Sequence, residues 1–180
     1  MGKINLISLA VVIVLIMSVI GISGCVDKIY TNDPVFNERG IYFEHPSNWA
    51  NYRISGQEIA NFGNNSVVNN SWSGEQILVS KYNESKWSAE MAISKFKTFN
   101  DINYTVDSIM VAGINATLIS YTWNNVNGEF NKNYRNTIVK GKDVIFKKNG
   151  YTYVIEYYAA PLENYNEQTF KNIINSFKVQ

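Results

Sequence analysis

The sequence predicts an α+β domain built on a mainly antiparallel sheet, and three observations lead there. Asn149-Gly150 separates two β-prone runs and supplies the two positive-φ residues of a type I′ turn, so a tight hairpin is expected. Further β-prone runs follow one another through Ala112-Gly113 and Asn127-Gly128. Only two stretches switch to a helical period, and helices separated by runs of hairpins imply antiparallel pairing rather than alternating βαβ units.

With the turn at Asn149-Gly150, Phe146 faces Tyr153 and Val144 faces Ile155 on one side of the hairpin, while Ile145 faces Val154 on the other. Apolar pairs on both faces predict a central position in the sheet. After Pro161 the period changes from strand to helix, and Phe170, Ile173, Ile174 and Phe177 form one stripe able to close over the sheet. Asn164, with Glu167 three residues on, reads as the capping pair at its start.

The chain begins differently. Lys3 precedes an uncharged run from Ile4 to Val26, the pattern of an export signal. It ends in Ile22-Ser23-Gly24-Cys25, which resembles the lipobox of prokaryotic lipoproteins: an aliphatic residue, a small one, Gly, then the Cys that is lipidated. Cys25 is the sole cysteine of the sequence, so an intramolecular disulfide is excluded, and lipidation accounts for a thiol outside the cell. Residues 1–24 are therefore expected to be a signal peptide and Cys25 the lipid attachment site. An uncleaved signal anchor is the alternative, because about 17–25 apolar residues span a bilayer. Either way the positive N-terminus directs the rest of the chain outside the cytoplasm. An N-myristoylation pattern fails at Leu6, where Ser or Thr is required.

Residues 25–39 are polar, carry the turn signal Asn32-Asp33-Pro34, and read as a tether. The domain is expected to span residues 40–180. Ile41 and Phe43 alternate with Tyr42 and Glu44 in a strand that stops at Pro46. Between Asn51 and Gly74 the pattern is weak, and Ile54, Ile59, Val67 and Val68 are the expected buried points of short strands and loops. Gln76 to Tyr82 reads as a strand. A helix follows, capped by Ser85, with Trp87, Met91, Ala92, Phe96 and Phe99 on its apolar face. Tyr104 to Val111 and Ile114 to Trp123 form the next hairpin. A long β-prone run from Tyr134 to Phe146 contains Gly141, read as a bulge or break.

Several of these segments carry a resemblance. Gly40-Ile41-Tyr42-Phe43-Glu44-His45-Pro46-Ser47-Asn48-Trp49 resembles the opening of the PsbP/Mog1-like family. Val111-Ala112-Gly113-Ile114-Asn115-Ala116 resembles its central turn, Gly150-Tyr151-Thr152-Tyr153-Val154-Ile155 its penultimate strand, and Phe170, Ile173, Ile174, Ser176 and Phe177 its final helix. The resemblance implies a three-layer α/β/α sandwich. It implies little about activity, because that fold serves photosystem assembly in one branch, binding of a nuclear-transport GTPase in another, and prokaryotic lipoproteins in others. No functional residue of the family has a matching motif here.

Composition narrows the functional classes. The formal net charge is +1, and removing a leader that contains Lys3 leaves 15 basic residues against 15 acidic ones. Without a basic field, nucleic acid is not an expected partner. The sole histidine, His45, shares a strand face with Ile41 and Phe43 while Glu44 points away, so these neighbours cannot converge on one ion. Neither a zinc site nor a Ser-His-Asp or Cys-His set has a recognisable spacing. Asp101 and Asp107 lack a calcium-loop pattern, and Asn64, Asn65, Asn69, Asn70, Gly63 and Gly74 match no phosphate-binding loop. No cofactor and no metal are expected. Trp72, Trp123, Tyr157 and Tyr158 are candidates for an aromatic ligand platform or, more simply, for cross-strand packing. Asn64, Asn69, Asn83, Asn103 and Asn115 each begin an Asn-x-Ser/Thr triplet, the acceptor pattern for N-glycosylation.

The functional expectation is a membrane-anchored extracytoplasmic lipoprotein. Its domain would be a non-catalytic interaction or assembly module that meets a protein or another envelope component. The alternatives are a small-ligand or glycan-binding domain, or a hydrolase with unrecognised residues.

Overall fold

The computed structural model describes residues 29–30, 33–68, 71–125, 134 and 136–180. The expected leader 1–24, Cys25, Asn69 and the Asn127-Gly128 turn lie outside the described residues. The chain forms β1 (Ile29–Tyr30), β2 (Val35–Glu38), β3 (Ile41–Glu44), β4 (Ala50–Asn51), β5 (Glu58–Gly63), β6 (Ser66–Val68) and β7 (Ser71–Asn83). Then come α1 (Ala89–Phe96), β8 (Ile102–Val111), β9 (Ile114–Asn125), β10 (Thr137–Lys148) and β11 (Tyr151–Ala160). A short 3-10 turn (Leu162–Asn164), α2 (Glu167–Ser176) and β12 (Lys178–Val179) complete it. The main sheet runs β1-β4-β5-β7-β11-β10-β9-β8, with β6 beside β7, and a small sheet runs β12-β3-β2. Every pairing is antiparallel.

The central hairpin forms as its turn chemistry dictates. Asn149 and Gly150 have φ of 54° and 76°, and the register pairs Phe146 with Tyr153, Val144 with Ile155 and Ile145 with Val154. Because β10 and β11 sit mid-sheet, both of their faces are buried. One face carries Val144, Phe146, Tyr153, Ile155 and Tyr157 into a core closed by Phe170, Ile173, Ile174 and Phe177 of the C-terminal helix region, with Ile41 and Phe43 of the small sheet. The other carries Ile145, Val154 and Tyr158 into a second core with Ala92 and Phe96 of α1. Fully burying one such aliphatic or aromatic side chain contributes about 1.5–3 kcal/mol. This hairpin is thus where the two cores share one backbone.

Several sequence expectations shift. The domain starts before Gly40: β2, inside the expected tether, pairs with β3, and Phe36 is buried against Phe43 and Phe62. Of the buried points expected between Asn51 and Gly74, Val67 is exposed, whereas Tyr52, Ala60 and Phe62 enter the core. The weak pattern there has a cause. A register shift between Glu58 and Ala60 breaks the alternation of β5 along β7.

Helix α1 is capped by Ser88, whose hydroxyl accepts from Met91 N–H at 3.3 Å, and not by Ser85, which bonds Asn83 instead. Met91, expected on its apolar face, is exposed. Helix α2 is capped by Asn166, which accepts from the Gln168 and Thr169 N–H groups at 2.9 and 3.2 Å. Asn164 ends the preceding 3-10 turn and holds Ser73 Oγ and the Ala160 carbonyl.

Gly141 marks no bulge, since β10 pairs in unbroken register with both neighbours through it. The glycine is explained by Tyr121, directly opposite on β9. A Cβ at position 141 would lie 2.4 Å from the Tyr121 hydroxyl oxygen and 2.5 Å from its ring carbon Cζ. Gly141→Ala is therefore expected to cost about 2–3 kcal/mol by overpacking. Gly150→Ala meets no atom within 4 Å and incurs only backbone strain, about 1 kcal/mol. Thermal melts of the two variants side by side check the ordering; equal losses would remove the Tyr121 explanation.

Candidate functional site

Polar side chains gather at three places, and they differ in whether anything can reach them. The first lies on the α1 face of the sheet. Asp143 and Glu156 are direct cross-strand partners on β10 and β11, so their side chains emerge side by side. Asp143 is 93% withdrawn from solvent by its 7% exposure, and its Oδ1 has no hydrogen-bond partner among the described residues. Burial raises both carboxyls above their ordinary range, and the Glu156 charge pushes Asp143 higher still. Lys95 of α1 is the nearby cation; burial lowers its ammonium and the two carboxylates pull it back up. Tyr121 hydrogen-bonds Asp143, which is the reason its ring lies across Gly141. Glu58 adds a further negative charge to the field at Glu156. Asp143 and Glu156 against Lys95 leave one excess negative charge when all three are ionised, and Glu58 adds to it.

The second place joins the end of the sheet to α2. Buried Glu75 accepts a hydrogen bond from the Tyr157 hydroxyl and another from Asn166 N–H at 3.0 Å. The Asn166 carbonyl lies 2.9 Å from the same hydroxyl. Glu75 thus fixes the residue that caps α2. Burial raises its carboxyl, against the pull of those two donors. The arrangement secures a helix entrance, and Glu75 also borders a shallow pocket of about 240 Å³ with Asn64, Ser66, Ser73, Gly74 and Asn164.

The third place is open. Beyond the N-terminal end of α2, the face of the sheet that carries Val144 continues as a shallow groove of about 270 Å³ over β8, β9 and β10. Two cross-strand rows form its floor: Asn103, Thr122 and Lys140 in one, Thr105, Ser120 and Lys142 in the next. The spacing of two between Lys140 and Lys142 puts both on this side, with Gly141 facing away. Lys140 Nζ stands 4.5 Å from the centroid of Tyr165, and Lys142 Nζ stands 4.6 Å from that of Phe170 and 2.7 Å from Glu167 Oε1. Hydroxyls, an amide and two steered ammonium groups can hold a polar or anionic molecule.

The other sequence candidates fall elsewhere. His45 is buried, its ring tilted against that of Phe62 with centroids 4.3 Å apart and its Nδ1 3.0 Å from the Pro46 carbonyl, and burial lowers its basicity. The aromatic platform dissolves into core: Tyr157, Tyr158 and Trp123 are buried, and Trp72 packs edge-on against Tyr134. Asn64, Asn83, Asn103 and Asn115 are exposed at separate places. The Lys140-Lys142 groove was missed in the sequence, although two lysines spaced by two in an apolar strand are a visible signal. Among the described residues, no group of three or more His, Cys, Asp or Glu side chains is placed to hold a metal ion.

The buried acidic pair has a testable consequence. The folded state binds more protons than the unfolded chain from about pH 4, where free carboxyls titrate, up to the raised folded values. Stability therefore falls as pH rises through that window and stays low above it. Asp143→Asn removes the excess charge and lets an amide donate to Glu156. It is expected to stabilise the domain by about 1–2 kcal/mol at pH 7 and to flatten the pH dependence. Denaturant melts from pH 4 to 8 check this, and an unchanged slope would contradict the assignment.

No protein-family model matches the chain, and no curated protein does. Solved structures do. Cyanobacterial PsbP (CyanoP) from Synechocystis sp. PCC 6803 matches at a TM-score of 0.52, with 11% identity over 89% of this chain and 96% of that one. LpqN, involved in cell envelope biogenesis of Mycobacterium tuberculosis, matches at 0.50 with 13% identity over 85% and 89%. A Bacteroides thetaiotaomicron protein matches at 0.53 with 10% identity over 83% of this chain and 49% of that one, so this chain spans about half of its length. The likeness to CyanoP extends over 89% of this chain and 96% of that one, so the chain, with its antiparallel sheet and two helices, has the PsbP-like fold.

Proposed function

We propose that this chain is an extracytoplasmic, membrane-anchored lipoprotein whose PsbP-like domain is a non-catalytic interaction or assembly module of the cell envelope. The observation that carries the proposal is Ile22-Ser23-Gly24-Cys25 at the end of the uncharged run, directly ahead of a PsbP-like domain. LpqN, of like fold, is a protein of cell envelope biogenesis, which supports the placement. The burial of His45, Asp143 and Glu75 supports a binding rather than a catalytic role. Helices on opposite faces of the main sheet support the three-layer α/β/α description. Among the described residues no helix is long and apolar enough to cross a membrane. The exposed acceptors Asn64, Asn83, Asn103 and Asn115, together with Asn69, are candidates for glycans in a host that attaches them.

Expressed in a lipoprotein-processing host, the native chain is expected in the membrane fraction, with its mature N-terminus an acylated Cys25. Cys25→Ser is expected to abolish the acylation and leave the leader uncleaved. Intact-mass analysis reads both. A native chain with Met1 retained and Cys25 unmodified would overturn the lipid anchor in favour of a signal anchor.

The groove favours a second reading, in which the domain binds a small polyhydroxylated or anionic ligand between Lys140, Lys142, Ser120 and Thr122. Tyr165 and Phe170 border the two lysines, so a bound ligand is expected to alter tyrosine emission. Lys140→Glu is expected to weaken binding of an anionic ligand at least tenfold while leaving the melt unchanged. A titration series of sugar acids and phosphorylated sugars with no response in the native chain would dismiss this reading.

A further inference from the structure

We propose that the domain pairs with a second copy of itself along the free edge of β8, joining the two main sheets across a two-fold axis at Val106. Strand β8 ends the main sheet, and β9 is its one ladder partner among the described residues. The two edges of this sheet are treated differently. On the far side the strands dwindle to β4 and β1, two residues each, and β5 carries a register shift, both of which blunt an edge. Strand β8 is ten residues long, pairs with β9 in unbroken register, and contains no Pro, Gly, Lys or Arg. About 3.4 Å per residue gives roughly 34 Å of undefended edge.

The phase of the ladder says which backbone groups are free. Asn124 N–H donates to the Asp101 carbonyl at 3.0 Å. With Ile102 opposite Trp123, the odd-numbered residues of β8 bond to β9. Ile102, Tyr104, Val106, Ser108 and Met110 therefore turn their N–H and C=O groups outward. The two-residue Ala112-Gly113 turn, closed by the pair Val111 and Ile114, requires the same phase.

The strand's sequence fits itself in one antiparallel register. A two-fold axis at Val106 sets Val106 against Val106, Tyr104 against Ser108 and Ile102 against Met110, all on the α1 face. Val106 and Met110 are 43% and 60% exposed, and this register covers both. On the opposite face it sets Asp107, the single charge of the strand, against Thr105 of the second copy. Within one copy the Thr105 hydroxyl already bonds Asp107 at 3.3 Å, so the pairing is compatible with the carboxylate as it lies. Moving the axis to Asp107 would place two carboxylates face to face, and moving it to Thr105 would set Met110 against Asn100. The strand thus selects a register as well as a partner.

The test is sedimentation velocity of the detergent-extracted full chain from 1 to 100 µM, beside amide hydrogen exchange at the same concentrations. Dimers are expected, with exchange at Tyr104, Val106 and Ser108 slowing as concentration rises. Val106→Lys places two ammonium groups at the axis while leaving every β8-β9 bond intact. It is expected to weaken the dimer at least tenfold and abolish the concentration-dependent protection, with an unchanged melt. Met110→Glu serves as the second variant should Val106→Lys impair folding. A monomer throughout the range, or a dimer indifferent to both substitutions, overturns the proposal. So does a dimer whose β8 amides exchange at the same rate at every concentration.

Discussion

The constraint on which the structure depends is the two-sided burial of the β10-β11 hairpin. Alternate residues of each strand belong to different cores, so a slip of one residue would exchange the two sets and expose neither. The register is held instead by size and shape. Phe146 stacks on Tyr153, and Gly141 is the position on β10 where the Tyr121 ring fits. The Asn149-Gly150 turn starts the count at the right residue. Everything else is placed relative to this ladder: α2 on one side through Phe170, Ile173 and Ile174, and α1 on the other through Ala92 and Phe96.

Seen this way, the polar residues inside the protein are arranged by how much of the ladder they interrupt. Asp143 and Glu156 replace an apolar cross-strand pair on the α1 face, and they are tolerated because Lys95 and Tyr121 stand beside them. Glu75 and Tyr157 lie nearer the strand ends, where a hydrogen bond can be turned toward the helix entrance instead of being lost. Lys140 and Lys142 sit where α2 no longer covers the sheet, so solvent takes over from the core within one strand.

Much of the fold was legible in the sequence because local chemistry and burial agreed there. Asn149-Gly150, the alternation of Ile41 and Phe43, and the stripe ending in Phe177 each state their conformation within a few residues. The segment from Asn51 to Gly74 was not legible, since its β5 strand is displaced by a register shift and buries Glu58 and Asn61 along with Ala60 and Phe62. Gly141 was misread because its reason lies across the sheet in Tyr121, beyond any local window. The caps slipped for a related reason: Ser85 and Asn164 have the right chemistry, but Asn83 in one case and Ser73 with Ala160 in the other claim them first. The groove depends on where α2 stops, which no single segment records.

The two N-terminal strand attachments, one to each sheet, give the chain a graded mechanical response. A pull applied N-terminal to Ile29 first reaches β1, attached to β4 by two residue pairs, and then β2, attached to β3 by four. Both attachments are short antiparallel ladders entered from one end, so tension opens them rung by rung instead of shearing a whole strand at once. The His45 N–H bond to the Pro34 carbonyl spans the entrance of the second ladder, so it breaks before the first rung opens. The central hairpin, many rungs away and packed on both faces, is shielded from that load. Slack is released from the periphery first, and the opening of β2 withdraws Phe36 from its place between Phe43 and Phe62.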